Sequence, residues 1–129
     1  PSPTPSATAT SSIPKSPQYG IVRIRFVLYQ GTSSLDETDE YVDLENTGAL
    51  SVPMQGWTIR RKTRGTFVSV PNLTLLGGKV CRIYTASPIP YEECGANSFG
   101  GSNLWSNDAD TLQLLDSAFQ LVDEYTYPR

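Results

Sequence analysis

Hydrophobic and polar residues alternate in short stretches along the chain after Tyr19. An alternation with a period of two residues is typical of a β-strand that buries one face. The first such stretch, residues 21–29, has hydrophobic residues at Val22, Ile24, Phe26 and Leu28. The same pattern predicts further strands at residues 40–46, 57–60, 67–70, 79–84, 111–115 and 119–125.

Turn sequences separate most of these strands, and no stretch shows a sustained helical period. Asn46-Thr47-Gly48 and Gly77-Gly78 are two such turns. Short strands without helices predict an all-β antiparallel β-sandwich, with a small closed barrel as the alternative. We expect its core to include Val22, Ile24, Phe26, Val42, Leu44, Trp57, Ile59, Leu112 and Leu114.

Two segments lie outside this pattern. Residues 1–17 contain five Pro, five Ser and three Thr, a composition typical of extended, solvated linkers. We therefore expect a linker at residues 1–18 and one domain at residues 19–129. Residues 85–110 lack periodicity and are rich in Pro, Gly, Ser and Asn, and a loop of this length needs an anchor or a function.

Composition narrows the function classes. The chain has 129 residues and a net charge of -3, which disfavours a nucleic-acid partner bound by bulk electrostatics. Histidine is absent, so neither a His-dependent triad nor the commonest metal ligand is available. No apolar run is long enough for a membrane span. We expect no enzymatic activity, no cofactor and no bound metal.

Four stretches in order resemble the lamin-tail domain family: Asp39-Glu40-Tyr41-Val42-Asp43-Leu44-Glu45-Asn46-Thr47-Gly48, Gly56-Trp57-Thr58-Ile59, Leu75-Leu76-Gly77-Gly78-Lys79-Val80 and Leu104-Trp105-Ser106-Asn107-Asp108-Ala109-Asp110-Thr111-Leu112-Gln113-Leu114. The resemblance implies an immunoglobulin-like β-sandwich of about seven to nine strands. The family usually has Gly in the last hairpin turn, where this chain has Phe119. That difference puts the type of the turn in question, because Gly adopts positive φ at no cost.

The resemblance and the linker together suggest a setting. The chain begins with Pro rather than Met, which indicates a processed chain or an excised fragment. The linker resembles the stalks of exported bacterial proteins. We therefore expect a secreted or cell-surface, monomeric, non-catalytic interaction module of a larger bacterial protein, whose partner is a protein or a cell-surface polymer. The alternatives are a carbohydrate- or cell-wall-binding module and an accessory domain of a small hydrolase with a cation site.

The two cysteines, Cys81 and Cys94, have three interpretations: a disulfide, a pair of metal ligands, or a nucleophile with a spare thiol. Zinc needs about four ligands, and a catalytic thiol needs a base that this chain does not supply as histidine. An exported setting favours the disulfide, which would tie the long loop to the sheet.

Several groups are candidates for ligand binding. Tyr91, Phe99 and Trp105 are aromatic residues of the long loop, and they either form a platform for a sugar ring or fill one end of the sandwich. Arg60, Arg61 and Lys62, followed by Arg64, either bind an acidic polymer or protect a strand end from pairing. The acidic residues Asp36, Glu37, Asp39, Glu40, Asp108 and Asp110 are either solvated or ligands to calcium.

Overall fold

The computed structural model describes residues 13–29, 40–86, 89–91, 94–101, 104–106 and 109–128. Eleven β-strands lie in this part of the chain, and no helix does. They are β1 (Val22–Leu28), β2 (Tyr41–Asn46), β3 (Val52–Pro53), β4 (Thr58–Arg61), β5 (Thr66–Ser69), β6 (Thr74–Leu75), β7 (Val80–Tyr84), β8 (Ile89–Tyr91), β9 (Gly95–Asn97), β10 (Asp110–Leu115) and β11 (Leu121–Tyr127). A search of the same residues finds no helix that could cross a membrane.

Seven strands form the two main sheets, and every strand pair within them is antiparallel. One sheet has the order β1-β2-β7, and the other has the order β11-β10-β4-β5. This arrangement confirms the predicted all-β sandwich, and its seven strands correspond to the seven predicted stretches. The pairs β3-β6 and β8-β9 were not predicted, because strands of two or three residues are too short to show a period.

The core lies between the two sheets and is built from the inward-facing positions of both. One continuous cluster of buried side chains joins the sheets and includes Val22, Ile24, Val42, Leu44, Trp57, Ile59, Leu112 and Leu114. Met54, Leu75 and Ile83 extend the same cluster. Burial of these side chains supplies the main favourable free energy of folding.

Phe26 departs from the predicted core, since 43% of its surface is exposed. The cause is a bulge in β1: Ile24 pairs with Leu44, whereas Phe26 pairs with the next residue of β2, Asp43. One extra residue in a strand reverses the alternation beyond it, so the side chain of Val27 faces the core instead. The prediction for Phe26 is therefore wrong, because periodicity alone does not reveal the bulge.

Strand β11 is bonded along both of its edges. On the edge away from β10, Leu121 donates to the Pro14 carbonyl and accepts from the Ser16 amide, at 2.7 and 2.8 Å, in a parallel pairing. Asp123 accepts a 2.7 Å hydrogen bond from the Ile24 amide and so links β11 to β1 in the other sheet. These contacts place residues 14–16, which belong to the predicted linker, against the sandwich. Residues 1–12 lie outside the described part of the chain, and their role as a linker stays a prediction.

Candidate interaction face

Trp105 fills one end of the sandwich. Its side chain is fully buried within the core cluster, and the ring of Phe99 meets it edge-on with centroids 5.4 Å apart. A buried ring cannot stack on a sugar, so the platform interpretation is wrong for Trp105 and the filling interpretation holds. Tyr91 lies in β8, and its side chain is outside the described part of the structure.

Three polar side chains hold the backbone around Trp105. The carboxylate of the buried Glu40 accepts from the Leu104 amide at 3.0 Å, and Arg61 donates to the Leu104 carbonyl at 3.0 Å. Tyr127 donates to the Ser106 carbonyl at 2.8 Å.

Burial lowers the pKa of Arg61, with Arg64 adding to the effect. Burial also raises the pKa of Tyr127 above its usual range, and the charges of Asp110 and Glu40 raise it further. Arg61 is therefore part of this end of the fold.

The loop is also tied to the sheet covalently. A disulfide joins Cys81 in β7 to Cys94, thirteen residues later. Cys81 is buried, and Cys94 packs against the core from the loop side. The bond anchors the segment between β7 and β9, which accounts for the length of an otherwise irregular connection.

The acidic residues give no cation site in the described structure. Asp36, Glu37, Asp39 and Asp108 lie outside the described residues. Asp110 is buried and accepts hydrogen bonds from the Thr63 and Thr111 amides. Within the described residues no group of three or more acidic or cysteine side chains is placed to hold a metal ion.

The cationic run divides between two sides of the sheet. Successive residues of a strand point to opposite faces, so Arg61 turns towards the Trp105 end while Arg60 and Lys62 remain on the outer face. Arg60 is half-buried, and Lys62 is exposed. The sequence predicted one cluster of Arg60, Arg61 and Lys62, whereas the structure places only two of these cations on a shared surface.

The outer side of the four-stranded sheet carries charged, polar and aromatic side chains. A groove of about 390 Å³ runs along it between Lys15, Arg60, Lys62, Gln113 and Glu124. Arg60 donates to the Gln113 side-chain oxygen at 3.0 Å, and the Gln113 amide group donates to Glu124 at 2.8 Å. Phe67 of β5 pairs in register with Arg60 and so continues the row. We define the outer face as Lys15, Arg60, Lys62, Phe67, Gln113, Phe119 and Glu124.

Phe119 brings a second exposed ring to the outer face. The rings of Phe67 and Phe119 meet edge-on at 6.1 Å, and they are 51% and 57% exposed. Phe119 has a φ of 59° and is the only residue other than Gly with positive φ in the described structure. The Asp116 carboxylate fixes the turn by accepting from the amides of Ala118 and Gln120, at 2.9 Å each.

The three-stranded sheet has a different outer side. Its Arg82 forms a two-point ion pair with Asp43, at 2.8 and 3.1 Å, and lies 3.9 Å above the ring of Tyr41. The bond to Asp43 raises the pKa of Arg82. Tyr41 also contacts Phe26 and Tyr84. Here the cation pairs with both a carboxylate and a ring. On the outer face Lys15 lies 4.6 Å from the centroid of the Tyr19 ring, and no ion pair involves Lys15, Arg60 or Lys62 among the described residues.

Sequence reasoning missed three members of the outer face: Lys15, Phe67 and Phe119. The signal for Phe67 was present, because it alternates with the inward-facing Val68. Lys15 could not be found, since its position depends on the pairing of Pro14 and Ser16 with Leu121. Phe119 was noted for its turn but not for an exposed ring.

Comparison with known proteins gives a family match for most of the chain. A search of curated proteins finds none that matches this chain. The family model described as Lamin Tail Domain matches residues 15–129, which is nearly all of the chain and the whole of the sandwich. The match begins at Lys15, in the segment that pairs with β11. The chain therefore belongs to the Lamin Tail Domain family.

Proposed function

We propose that this domain is a non-catalytic interaction module of a larger exported or cell-surface protein, and that the outer face is its binding surface. Membership of the Lamin Tail Domain family supports a protein-interaction role. The observation that carries the choice of surface is Phe119, an exposed aromatic residue held at positive φ.

Folding alone gives little reason for Phe119. A side chain at positive φ costs about 1–2 kcal/mol relative to the usual backbone regions, and Gly would avoid that cost. Because 57% of Phe119 is exposed, burial of its ring offsets only part of the strain. Backbone strain is common at functional sites, and exposed apolar patches mark interaction surfaces, where a partner completes the burial. Phe67 lies beside Phe119 and gives the partner a second ring to cover.

The disulfide supports the exported setting. Bonds such as Cys81–Cys94 form and persist in oxidising compartments and are rare in the cytosol. The Pro-, Ser- and Thr-rich residues 1–12 have the composition of a spacer between modules. Two free thiols in protein isolated from its native source would contradict the exported setting.

The carbohydrate-binding alternative loses its main support. Its platform required Trp105 at the surface, and this ring is buried. Phe99 is half-buried and packs on Trp105, so it offers no flat exposed ring.

Site-specific photo-cross-linking tests the proposed surface. Benzoylphenylalanine replaces Phe67 or Phe119, and Phe26 is the matched control, since it is an exposed Phe on the other sheet. Each protein is irradiated with exported and cell-surface material of the source organism, and the products are identified by mass spectrometry. We expect the same partner from positions 67 and 119 and not from position 26. Products from position 26 alone, or from none of the three, would overturn the proposal.

A further inference from the structure

The outer face carries positive charge on a chain that is negative overall. Lys15, Arg60 and Lys62 line one groove, and Glu124 is the acidic residue among its lining side chains. The groove is therefore locally positive, with three cationic side chains and one carboxylate, although the chain carries a net charge of -3.

Most of the seven acidic side chains among the described residues already form hydrogen bonds that hold the fold together. Five of the seven accept hydrogen bonds from backbone amides or from Arg82, namely Glu40, Asp43, Asp110, Asp116 and Asp123. They are committed to turns, strand links and the Trp105 end, so they do not neutralise the groove. A ligand with negative charge would meet little opposition there.

Hydrogen bonding indicates which anionic group fits. Gln113 uses its oxygen to accept from Arg60 and its amide group to donate to Glu124, so both ends of this side chain are engaged. The Lys15, Arg60 and Lys62 side chains offer N–H donors and positive charge to a ligand in the groove, and Glu124 is the one carboxylate there. A ligand carboxylate pairs with these cations by charge as well as by hydrogen bonds, whereas a neutral sugar gains hydrogen bonds alone. The groove therefore favours carboxylates over neutral sugars.

The rings beside the groove add an apolar requirement. Phe67 is the cross-strand neighbour of Arg60, and Phe119 lies against Phe67. Cross-strand neighbours have Cβ atoms about 5 Å apart, so one extended ligand reaches the cation and the ring together. Neighbouring carboxylate and apolar side chains are a combination that a polypeptide supplies.

We propose that the outer face binds an extended acidic polypeptide segment, with its carboxylates at Lys15, Arg60 and Lys62 and an apolar side chain at Phe67 and Phe119. This inference rests on the proposed function, since it names the partner of the same surface. Acidic polysaccharides lack apolar side chains for the two rings, and nucleic acids, whose bases can stack on exposed rings, are the competing outcome of the test.

The test uses the synthetic peptide Glu-Phe-Glu-Glu-Phe-Glu and follows backbone amide shifts by NMR titration at low salt, about 0.02 M, where screening is weak. We expect shifts in β4, β5 and β10 and none in β2 and β7. The double variant Lys15→Gln/Lys62→Gln should weaken binding roughly 5- to 10-fold, since two exposed charge contacts are lost. The matched control Arg23→Gln/Arg25→Gln removes the same charge from exposed sites on the other sheet and should change affinity less than about two-fold.

Two further comparisons test the apolar part and the class of partner. Phe67→Ser should weaken binding of the peptide above. It should not weaken binding of a second peptide in which Ser replaces both Phe residues. Polygalacturonate fragments and single-stranded DNA should bind more weakly than the acidic peptide. Absence of shifts, equal losses in both double variants, or tighter binding of either polymer would overturn the inference. If the acidic peptide fails while cross-links still form at positions 67 and 119, the inference falls and the proposed function stands.

Discussion

At the scale of single residues, Phe119 has the conformation that is hardest to explain by sequence preference. Phe119→Gly and Phe119→Ala both remove the ring, but only Gly adopts a φ near 59° without strain. We expect the Gly variant to be more stable than the Ala variant by about 1 kcal/mol, although Gly raises the entropy of the unfolded chain. Urea denaturation measures the difference. An Ala variant at least as stable as the Gly variant would mean that the turn has another conformation.

The sequence showed that the turn at Phe119 was unusual but not how it is built. The positive φ results from local bonds, in which Asp116 accepts from two amides and the Phe119 amide donates to the Asp116 carbonyl at 2.9 Å. Such a turn needs one left-handed residue whichever side chain stands there. Residue preference predicts Gly at such a position, and the contacts of the ring with Phe67 depend on tertiary structure.

At the scale of strands, the bulge in β1 determines which side chains reach the core. We expect Val27→Ala to lower the free energy of unfolding by about 1–3 kcal/mol, because it leaves a cavity. Phe26→Ser should cost less than Val27→Ala, since 43% of Phe26 is exposed and its ring packs on Tyr41 outside the core. Paired denaturation curves decide between the two registers. A larger loss of unfolding free energy from Phe26→Ser than from Val27→Ala would contradict the bulge and favour a regular alternation along β1.

The segment around Trp105 behaves as an element of the fold although it has no regular structure. Trp105→Ala should lower the free energy of unfolding by about 3–5 kcal/mol, because a fully buried ring is lost. Trp105→Phe, which keeps a ring against Phe99, is the control and should lose less. Thermal and urea unfolding give both values. A loss below about 1 kcal/mol for the Ala variant would place the ring at the surface.

The strands could be predicted from period, whereas this segment could not. Alternation in stretches such as residues 40–46 and 111–115 follows from the two faces of a sheet. Trp105 has no periodic neighbours, and its burial depends on Glu40, Arg61 and Tyr127 from three different strands or strand ends. Contacts between residues so far apart in sequence leave no local pattern.

At the scale of the whole molecule, Tyr127 makes the free energy of unfolding depend on pH in the alkaline range. Its pKa is raised in the folded state, so above about pH 10 the unfolded chain loses this proton first. The free energy of unfolding should therefore fall with rising pH, by at most about 1.4 kcal/mol per pH unit for this group. Tyr127→Phe should reduce that slope. It should also lower the free energy of unfolding by the same amount at every pH, because the hydrogen bond to Ser106 is missing. Parallel slopes for both proteins between about pH 10 and 12 would contradict the effect.

The positions of the charged side chains on the surface cannot be read from the composition of the chain. The net charge of the chain is -3, whereas three cationic side chains and one carboxylate line the groove of the outer face. Lys15 and Lys62 are 47 positions apart in sequence and line one groove. Only the pairing of the N-terminal segment with β11 brings them together.

That pairing also determines how the domain would respond to mechanical force. Residues 14–16 run parallel to β11 and are bonded to Leu121 through two backbone hydrogen bonds. Tension applied between the two ends of the sandwich pulls these parallel segments past each other along their length. Both bonds then carry the load at the same time, whereas the ends of an antiparallel hairpin would separate one bond after another. We therefore expect residues 14–16 to resist stretching in shear, although their composition resembles the end of a linker.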